Sequence, residues 1–576
     1  MIPTLPQNDR KVTDRREDLD KAREEYIFDR STSDLLFAEE VPKRDWGGVE
    51  YWAKLAKVNL EVAMNKARMN SGLLSALTSV GTKLASQAAD IGAENYSGSV
   101  KALHETAGVI DSQYPARSIS QYEDQYENLP KPRAMEKWED DQFFAWIALG
   151  GSNPNLIERL HATGLKKLDV DDAAYQKVVG GNDTIKKALT QGRLFVADYG
   201  ILAGRSAGEV DGYSKVVAAP TALYAAVGEQ WFIVGIQTGQ DPKTSRFVQP
   251  GDGVSWKMAK VALLAADSQL TGLVAHFGLC HCVMEAVVLS TRRNLAEAHP
   301  LYLLLDAHTE NTLIVNEITR SSLTPPDGSI DRMMAQELQG SLDMTAQAVR
   351  DFRIMDSAPP QDFERRGVDD LQALPSYPYR DDQLLLWDAI ESWVNDYIGI
   401  YYENDTDVVL DEELQAFVVE LGHENLGGLA GIGKVETVER LSALISRIVY
   451  RGTAFHAAIN YALYDFGFAP LQPQAHFHEG PSEDGSRDTE LEFRKMLPPL
   501  DIAYEVVEAF YPLSVRINTL GDYGRWYFKD DRVDAPLDAF QACLKEIETE
   551  IQQRNQDRVF EYPYGLPSQV SNSIHV

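Results

Sequence analysis

The 576-residue sequence is poor in cysteine, in positive charge and in uninterrupted apolar runs. Its three cysteines (Cys280, Cys282 and Cys543) cannot build a disulfide framework, which points to a reducing compartment. Lys and Arg total 55 against 87 Asp and Glu, a formal charge of −32. That balance gives no electrostatic footprint for nucleic acid and, on average, repulsion from anionic membrane surfaces. We find no stretch of about 18 apolar residues and no signal-like apolar core in MIPTLPQNDRKVTDRRED. The reading is a soluble, cytoplasmic protein. What is present is ordinary for a globular chain with a large core: 44% hydrophobic, 25% charged and 9% aromatic residues, which excludes collagen, low-complexity and fully disordered chains.

Helical patterns outnumber strands. Residues 1–48 read as a charged, Pro-punctuated, extended arm with one short helix. Trp52, Leu55, Val58 and Val62 then recur at helical spacing, followed by Leu73, Leu74, Leu77 and Val80. LPKPRAMEK (129–137) marks a boundary, giving an N-terminal arm and helical extension over 1–130 and a larger unit over 131–576. Strand is expected only within about 190–250. Residues 48–115 are either an ordinary helical layer or a lid that touches lipid.

Residues 255–298 are apolar on nearly all sides, as in a buried central helix or a membrane span. Asp267, His276, His281, Glu285, Arg292 and Arg293 interrupt the run, which favours a central helix. His276 and His281 are five residues apart and diverge by about 140° on a regular helix. A π turn brings i and i+5 into line, and such turns cluster at functional sites. Two buried histidines find backbone partners or bind a metal. In LISRIVYRGTAFHAAINYALY, His456 and Asn460 are i, i+4 and share a face. A buried amide there is costly unless hydrogen bonds or a metal compensate. Three imidazoles and an amide oxygen suit iron or manganese. The terminal Val576 either frays in solvent or inserts its carboxylate as an anionic ligand.

With these motifs in place, the sequence resembles the lipoxygenase family. AHFGLCHCVMEAVVLSTRRNLAEAHPLYLLLDAHTENTLIVNEITRSSL (275–323) is similar to the family's signature helix and the segment after it. HAAINYALY (456–464) resembles its second metal helix, SNSIHV its C-terminal ligand motif, and WEDDQFFAWIALGGSNP its entry motif. QGRLFVADYG and LWDAIESWVNDYIGIYY also match, so the resemblance runs from about Trp138 to Val576. It implies a mainly α fold: a large helical catalytic domain around a long central helix, with a small β sub-region at about 190–250. The N-terminal β-sandwich of plant and animal members is not evident, as in shorter bacterial members.

The resemblance implies metal ligation by His276, His281, His456, Asn460 and the carboxylate of Val576, usually to non-haem iron, with manganese as the alternative. It implies dioxygenation of polyunsaturated fatty acids holding a cis,cis-1,4-pentadiene, with the fatty acid and dioxygen as partners. Rival outcomes are a hydroperoxide isomerase on the same scaffold and a fatty-acid-binding protein with an inactive metal site. Thr319 aligns with the position that separates oxygenation outcomes, and Leu279, Leu323, Ile330, Ala509 and Phe510 with the substrate pocket. His308 sits where the family has a histidine near the metal shell, and His299 reads as structural. His476 and His478 read as solvated loop residues, and Lys177, Lys186 and Lys187 flank a candidate entrance. Gly272 and Leu463 stand where plant members carry a glutamine pair. Peripheral membrane contact would fall to the N-terminal helices.

Overall fold

The molecule is organised around one continuous 41-residue helix, Val254–Asn294, that changes pitch twice along its length. It is α-helical over Val254–Gln269, π-helical over Leu270–Cys282 and α-helical again over Val283–Asn294. The computed structural model describes residues 2–69, 96–468, 470, 473–524 and 526–576. By length and composition the central helix could cross a membrane, with mean hydropathy 1.7 over its best 18 residues, but 78% of that window is buried inside the protein. The polar-interrupted apolar segment favoured as a central helix is thus packed as core.

A second helix crosses beside it in the same pattern, α over Val438–Tyr450, π over Arg451–Phe455 and α over His456–Phe466. Thr437 starts it, its Oγ1 accepting from the Arg440 N–H at 3.1 Å. Small residues permit the close approaches. A Cβ on Gly278 would lie 3.3 Å from Thr345 Cγ2, and one on Gly452 would lie 3.2 Å from the His308 carbonyl oxygen. Leu338–Asp351, Pro378–Tyr401 and Asp534–Asp557 extend the helical layers outward.

The main sheet has five antiparallel strands in the order Glu158–Arg159, Leu194–Asp198, Thr221–Val227, Gln230–Gln237, Phe247–Val248. Thr221–Val227 and Gln230–Gln237 form a hairpin that turns through Gly228 at φ 62°, as a two-residue hairpin loop requires. Strand also lies outside 190–250, at Glu158–Arg159 and in a small hairpin, Phe28–Asp29 with Phe37–Ala38. The sheet covers a second, smaller apolar cluster that includes Tyr175, Leu194, Leu223 and Val234.

Residues 2–48 are docked rather than extended. Helix Val12–Glu25 lies on Val283–Asn294, and Arg15 makes a buried bidentate pair with Glu413 at 2.7 and 2.8 Å. Leu5, Tyr26, Leu36 and Phe37 belong to the same apolar cluster as the central helix, so the core runs without a break across residue 130. Helix Val49–Met69 packs on Leu500–Phe510 through Asn65, whose Nδ2 donates to Tyr504 Oη at 3.0 Å, and through the Lys66–Glu508 pair at 2.8 Å. Leu73, Leu74, Leu77 and Val80 lie outside the described residues.

Candidate metal centre

The two changes of pitch place three imidazoles together. His276 and His281 both lie on the π segment, and their Nε2 atoms are 3.3 Å apart. His456 begins the α segment that follows the π turn of the second helix, and its Nε2 is 3.3 Å from that of His276. Among the described residues these three form a cluster able to hold a metal ion. Nitrogens about 2.1 Å from a shared ion stand roughly 3.0–3.4 Å apart at right-angled to tetrahedral geometry. The observed spacing fits that, and it is unfavourable between bare lone pairs.

The electrostatics agree with ligation. Burial pushes the His281 imidazole down to about 4 and those of His276 and His456 well below the usual range. All three are therefore neutral at physiological pH, the form that coordinates a metal. Asn316 fixes one tautomer. Its Nδ2 donates to the His281 carbonyl at 3.0 Å and to Glu285 at 2.7 Å, so its Oδ1 faces His281 Nδ1 at 2.7 Å as acceptor. His281 Nδ1 carries the proton, and Nε2 presents its lone pair to the cluster.

Asn460 lies one turn beyond His456. Its Nδ2 donates to the Leu513 carbonyl at 2.9 Å, while its Oδ1 is buried without a hydrogen-bond partner beside His276. A buried orphan acceptor beside one imidazole of the cluster suits a cation. The C-terminal tail does not fray: residues 570–576 are buried, Val576 at 4% exposure, with a Val576 main-chain oxygen beside the His456 ring.

That tail is held by several side chains. His308 donates from Nδ1 to the Asn572 carbonyl at 2.8 Å and accepts at Nε2 from Tyr523 Oη at 3.0 Å. With both nitrogens engaged, His308 is a tail anchor and not a member of the cluster. Ser573 Oγ donates to the Glu310 carbonyl at 2.9 Å, and Asn311 Nδ2 donates to His575 Nδ1 at 3.0 Å.

The remaining expected residues fall as follows. Thr319 is buried on Thr312–Ser322, its hydroxyl bonded to the Val315 carbonyl of its own helix at 3.0 Å. Ile330 and Phe510 are core residues, and Leu279, Leu323 and Ala509 are partly exposed and packed against the same core. A cavity of about 390 Å³ opens beside the start of the central helix, lined by Trp138, Phe144, Trp256 and Lys260, and the three histidines are not among its lining residues. His299 is structural, as expected, capping Pro300–Ala307 and bonding Asp411 at 2.9 Å. The solvated reading of His476 is overturned: it is buried, with Nδ1 bonded to the His478 carbonyl at 2.8 Å. His478 is partly exposed and pairs with Glu492. Lys177 pairs with Asp252 at 3.2 Å and Lys187 lies 3.9 Å from Asp183. At Gly272 a Cβ would meet Met334 Cε at 2.7 Å, so Met334 fills the space of a longer side chain. Asn316 was not singled out from the sequence, although it lies in the quoted run 275–323.

Fold and site together define a mainly helical protein with a buried three-histidine cluster able to hold a metal and a C-terminus inside the core. Comparison with known proteins gives the family: the family profile described as Lipoxygenase matches residues 82–570, and the chain belongs to the lipoxygenase family. It is 35% identical to a linoleate 9/13-lipoxygenase of Pseudomonas aeruginosa, over 78% of this chain and 68% of that one. Identity is 31% to the human polyunsaturated fatty acid lipoxygenase ALOX15B (83% and 72% covered) and 30% to the human hydroperoxide isomerase ALOXE3 (77% and 63%). A solved lipoxygenase, described as Delta413-417:GS LOX, superposes with TM-score 0.84 at 24% identity, covering 100% of this chain and 83% of its own. A coral 8R-lipoxygenase gives 0.82 at 23% over 100% and 83%.

Proposed function

We propose that the chain adds dioxygen to polyunsaturated fatty acids holding a cis,cis-1,4-pentadiene, forming hydroperoxides at a non-haem iron. His276, His281, His456, Asn460 Oδ1 and the Val576 carboxylate would hold the ion, with manganese as the alternative. The observation that carries this reading is the convergence of three neutral imidazoles with one buried, unpartnered amide oxygen. Bound iron would supply the one-electron acceptor that lets a hydrogen atom leave the bis-allylic methylene.

The chain's own residues do the rest. Leu279, Leu323, Ile330, Ala509 and Phe510 present an apolar wall that keeps water from a fatty-acyl chain. Thr319 limits the space beside one end of the pentadiene and so directs where oxygen adds. A cover over the substrate entrance that meets lipid is assigned to residues 48–115, of which 70–95 lie outside the described residues. In support, Lys66 reaches the helix carrying Ala509, and Ser97 Oγ lies 3.4 Å from Ser321 Oγ on the helix carrying Thr319.

Isomerisation of hydroperoxides on the same centre is the second reading, favoured by the relative of that name and by the bulk of Thr319. A binding protein with an inactive site would need a lost ligand, and all five donors are present. Linoleate is the test substrate. Oxygen uptake with rising conjugated-diene absorbance is expected. Hydroperoxide loss without oxygen uptake would replace dioxygenation with isomerisation, and neither activity in metal-loaded protein would overturn both.

A further inference from the structure

The His281 hydrogen bond to Asn316 does not end there. Glu285, one helical turn beyond His281, is 1% exposed and makes no ion pair among the described residues. Its Oε2 accepts from Asn316 Nδ2 at 2.7 Å, and its Oε1 accepts from the Ala38 backbone N–H at 2.7 Å. Ala38 belongs to the N-terminal hairpin, almost 250 residues away in sequence and buried at 2% exposure. The result is a closed line of donors and acceptors, from the Ala38 N–H through the Glu285 carboxyl and the Asn316 amide to His281 Nδ1–H.

A buried carboxylate is expensive and is often replaceable by apolar packing at no loss of stability. What apolar packing cannot supply is acceptance at both ends. Asn316 keeps its oxygen toward His281 because its NH₂ group donates to two acceptors, the His281 carbonyl at 3.0 Å and, at the shorter distance of 2.7 Å, Glu285 Oε2. Burial pushes the Glu285 carboxyl up to about 8, against the two N–H donors that favour its ionised form; in either protonation state both oxygens keep lone pairs, so they take the Ala38 N–H and the Asn316 NH₂ together. A glutamine of the same shape cannot. Its own NH₂ must face either the Ala38 N–H or Asn316. In the second case the Asn316 amide is driven to flip, donating to His281 Nδ1 and moving the ring proton onto Nε2, where it blocks coordination.

We propose that Glu285 is a positioning residue for the metal centre, acting through Asn316 to hold His281 with its Nε2 lone pair inward, and that the hairpin ending at Ala38 is the outer support of that line. This rests on the reading of His281 as a metal ligand. The consequence is that residues of the N-terminal arm, remote from the substrate, bear on how firmly the metal is held. Loss of such outer partners typically costs about 10–100-fold in metal affinity or activity.

The experiment compares wild type, Glu285→Gln, Asn316→Ala, Ala38→Pro and His281→Ala as purified holoenzymes. Metal remaining after timed exposure to a chelator is measured by elemental analysis, together with kcat and KM for linoleate and the thermal midpoint after metal removal. We expect Glu285→Gln and Asn316→Ala to lose metal about tenfold faster or more, with kcat reduced, KM little changed and the metal-free midpoint close to wild type. Ala38→Pro, which removes one donor and leaves the carboxyl intact, should also speed the loss, and it decides the matter should Glu285→Gln fail to fold. If His281→Ala retains metal like wild type, the ligand reading itself fails. If His281→Ala loses its metal while the other three keep theirs at the wild-type rate, the positioning role of Glu285 is wrong.

Discussion

Thr319 shows what a single side chain can decide. Its hydroxyl is spent on the Val315 carbonyl, so what it offers the site is bulk, held by a β-branched side chain with restricted χ1. On the proposed reading that bulk would close the space beside one end of the pentadiene at least as firmly as alanine, and an S hydroperoxide is the expected product. Thr319→Gly should open the space and shift product toward the R-configured neighbour, whereas Thr319→Ala should change little. Chiral chromatography of the products checks this, and identical isomers from wild type and Thr319→Gly would remove Thr319 from the control of oxygen. At this scale the sequence carried the centre well: His276, His281 and His456 were legible because ligand chemistry restricts both residue type and spacing. The buried state of His476 was not, because a Pro/Gly-rich loop says nothing about what packs over it. Nor was the tautomer-setting role of Asn316, which exists only through three hydrogen bonds to two residues of the central helix, His281 and Glu285.

Among elements, the π segments matter most. The i, i+5 spacing of His276 and His281 called for one widened turn, and the structure has thirteen π-helical residues around them. The second π turn, Arg451–Phe455, had no comparable signal, since His456 and Asn460 already share a face on a regular helix. It lies where Gly452 lets the second helix approach the first. A Cβ there would lie 2.9 Å from Met284 Cε and 3.2 Å from the His308 carbonyl oxygen, and only the methionine end can yield easily. Gly452→Val should push the helices apart, destabilise the fold by about 1–3 kcal/mol and reduce bound metal. Elemental analysis beside thermal unfolding tests this; wild-type metal content with a lowered midpoint would mean that the crossing does not set the His456 position. The short hairpin at 28–38 was invisible in the sequence for another reason. Two-residue strands have no periodicity of their own and form because Phe37 and Ala38 are buried against the central helix.

For the whole molecule, the chain closes on itself, with its last residues inside the core. The tail is tied by His308, whose imidazole burial pulls down to about 4. An unfolded chain binds the proton near 6.5, so this histidine's contribution is fully present above that pH and is lost as pH falls from about 6.5 to about 4. His308→Gln should lower the thermal midpoint at neutral pH, because the Asn572 carbonyl and Tyr523 hydroxyl lose a well-placed partner, at a cost of about 1–3 kcal/mol. The difference between wild type and variant should shrink toward pH 4, and a difference constant across pH 4–7 would contradict the assignment. The global architecture was legible because a forty-residue apolar run with polar interruptions can only be a buried helix or a span. The docking of the N-terminal arm was not, since charge-rich segments such as Val12–Glu25 are held by distant partners, Glu413 among them.

The central claim is that the internal C-terminus completes a metal centre with His276, His281, His456 and Asn460. The most direct measurement is metal per chain, iron and manganese together, in the intact protein and in protein lacking Val576. About one metal ion per intact chain is expected, and loss of that metal, with the fold retained, when Val576 is removed. An intact, active protein with neither metal, or an unchanged metal content without Val576, would contradict it.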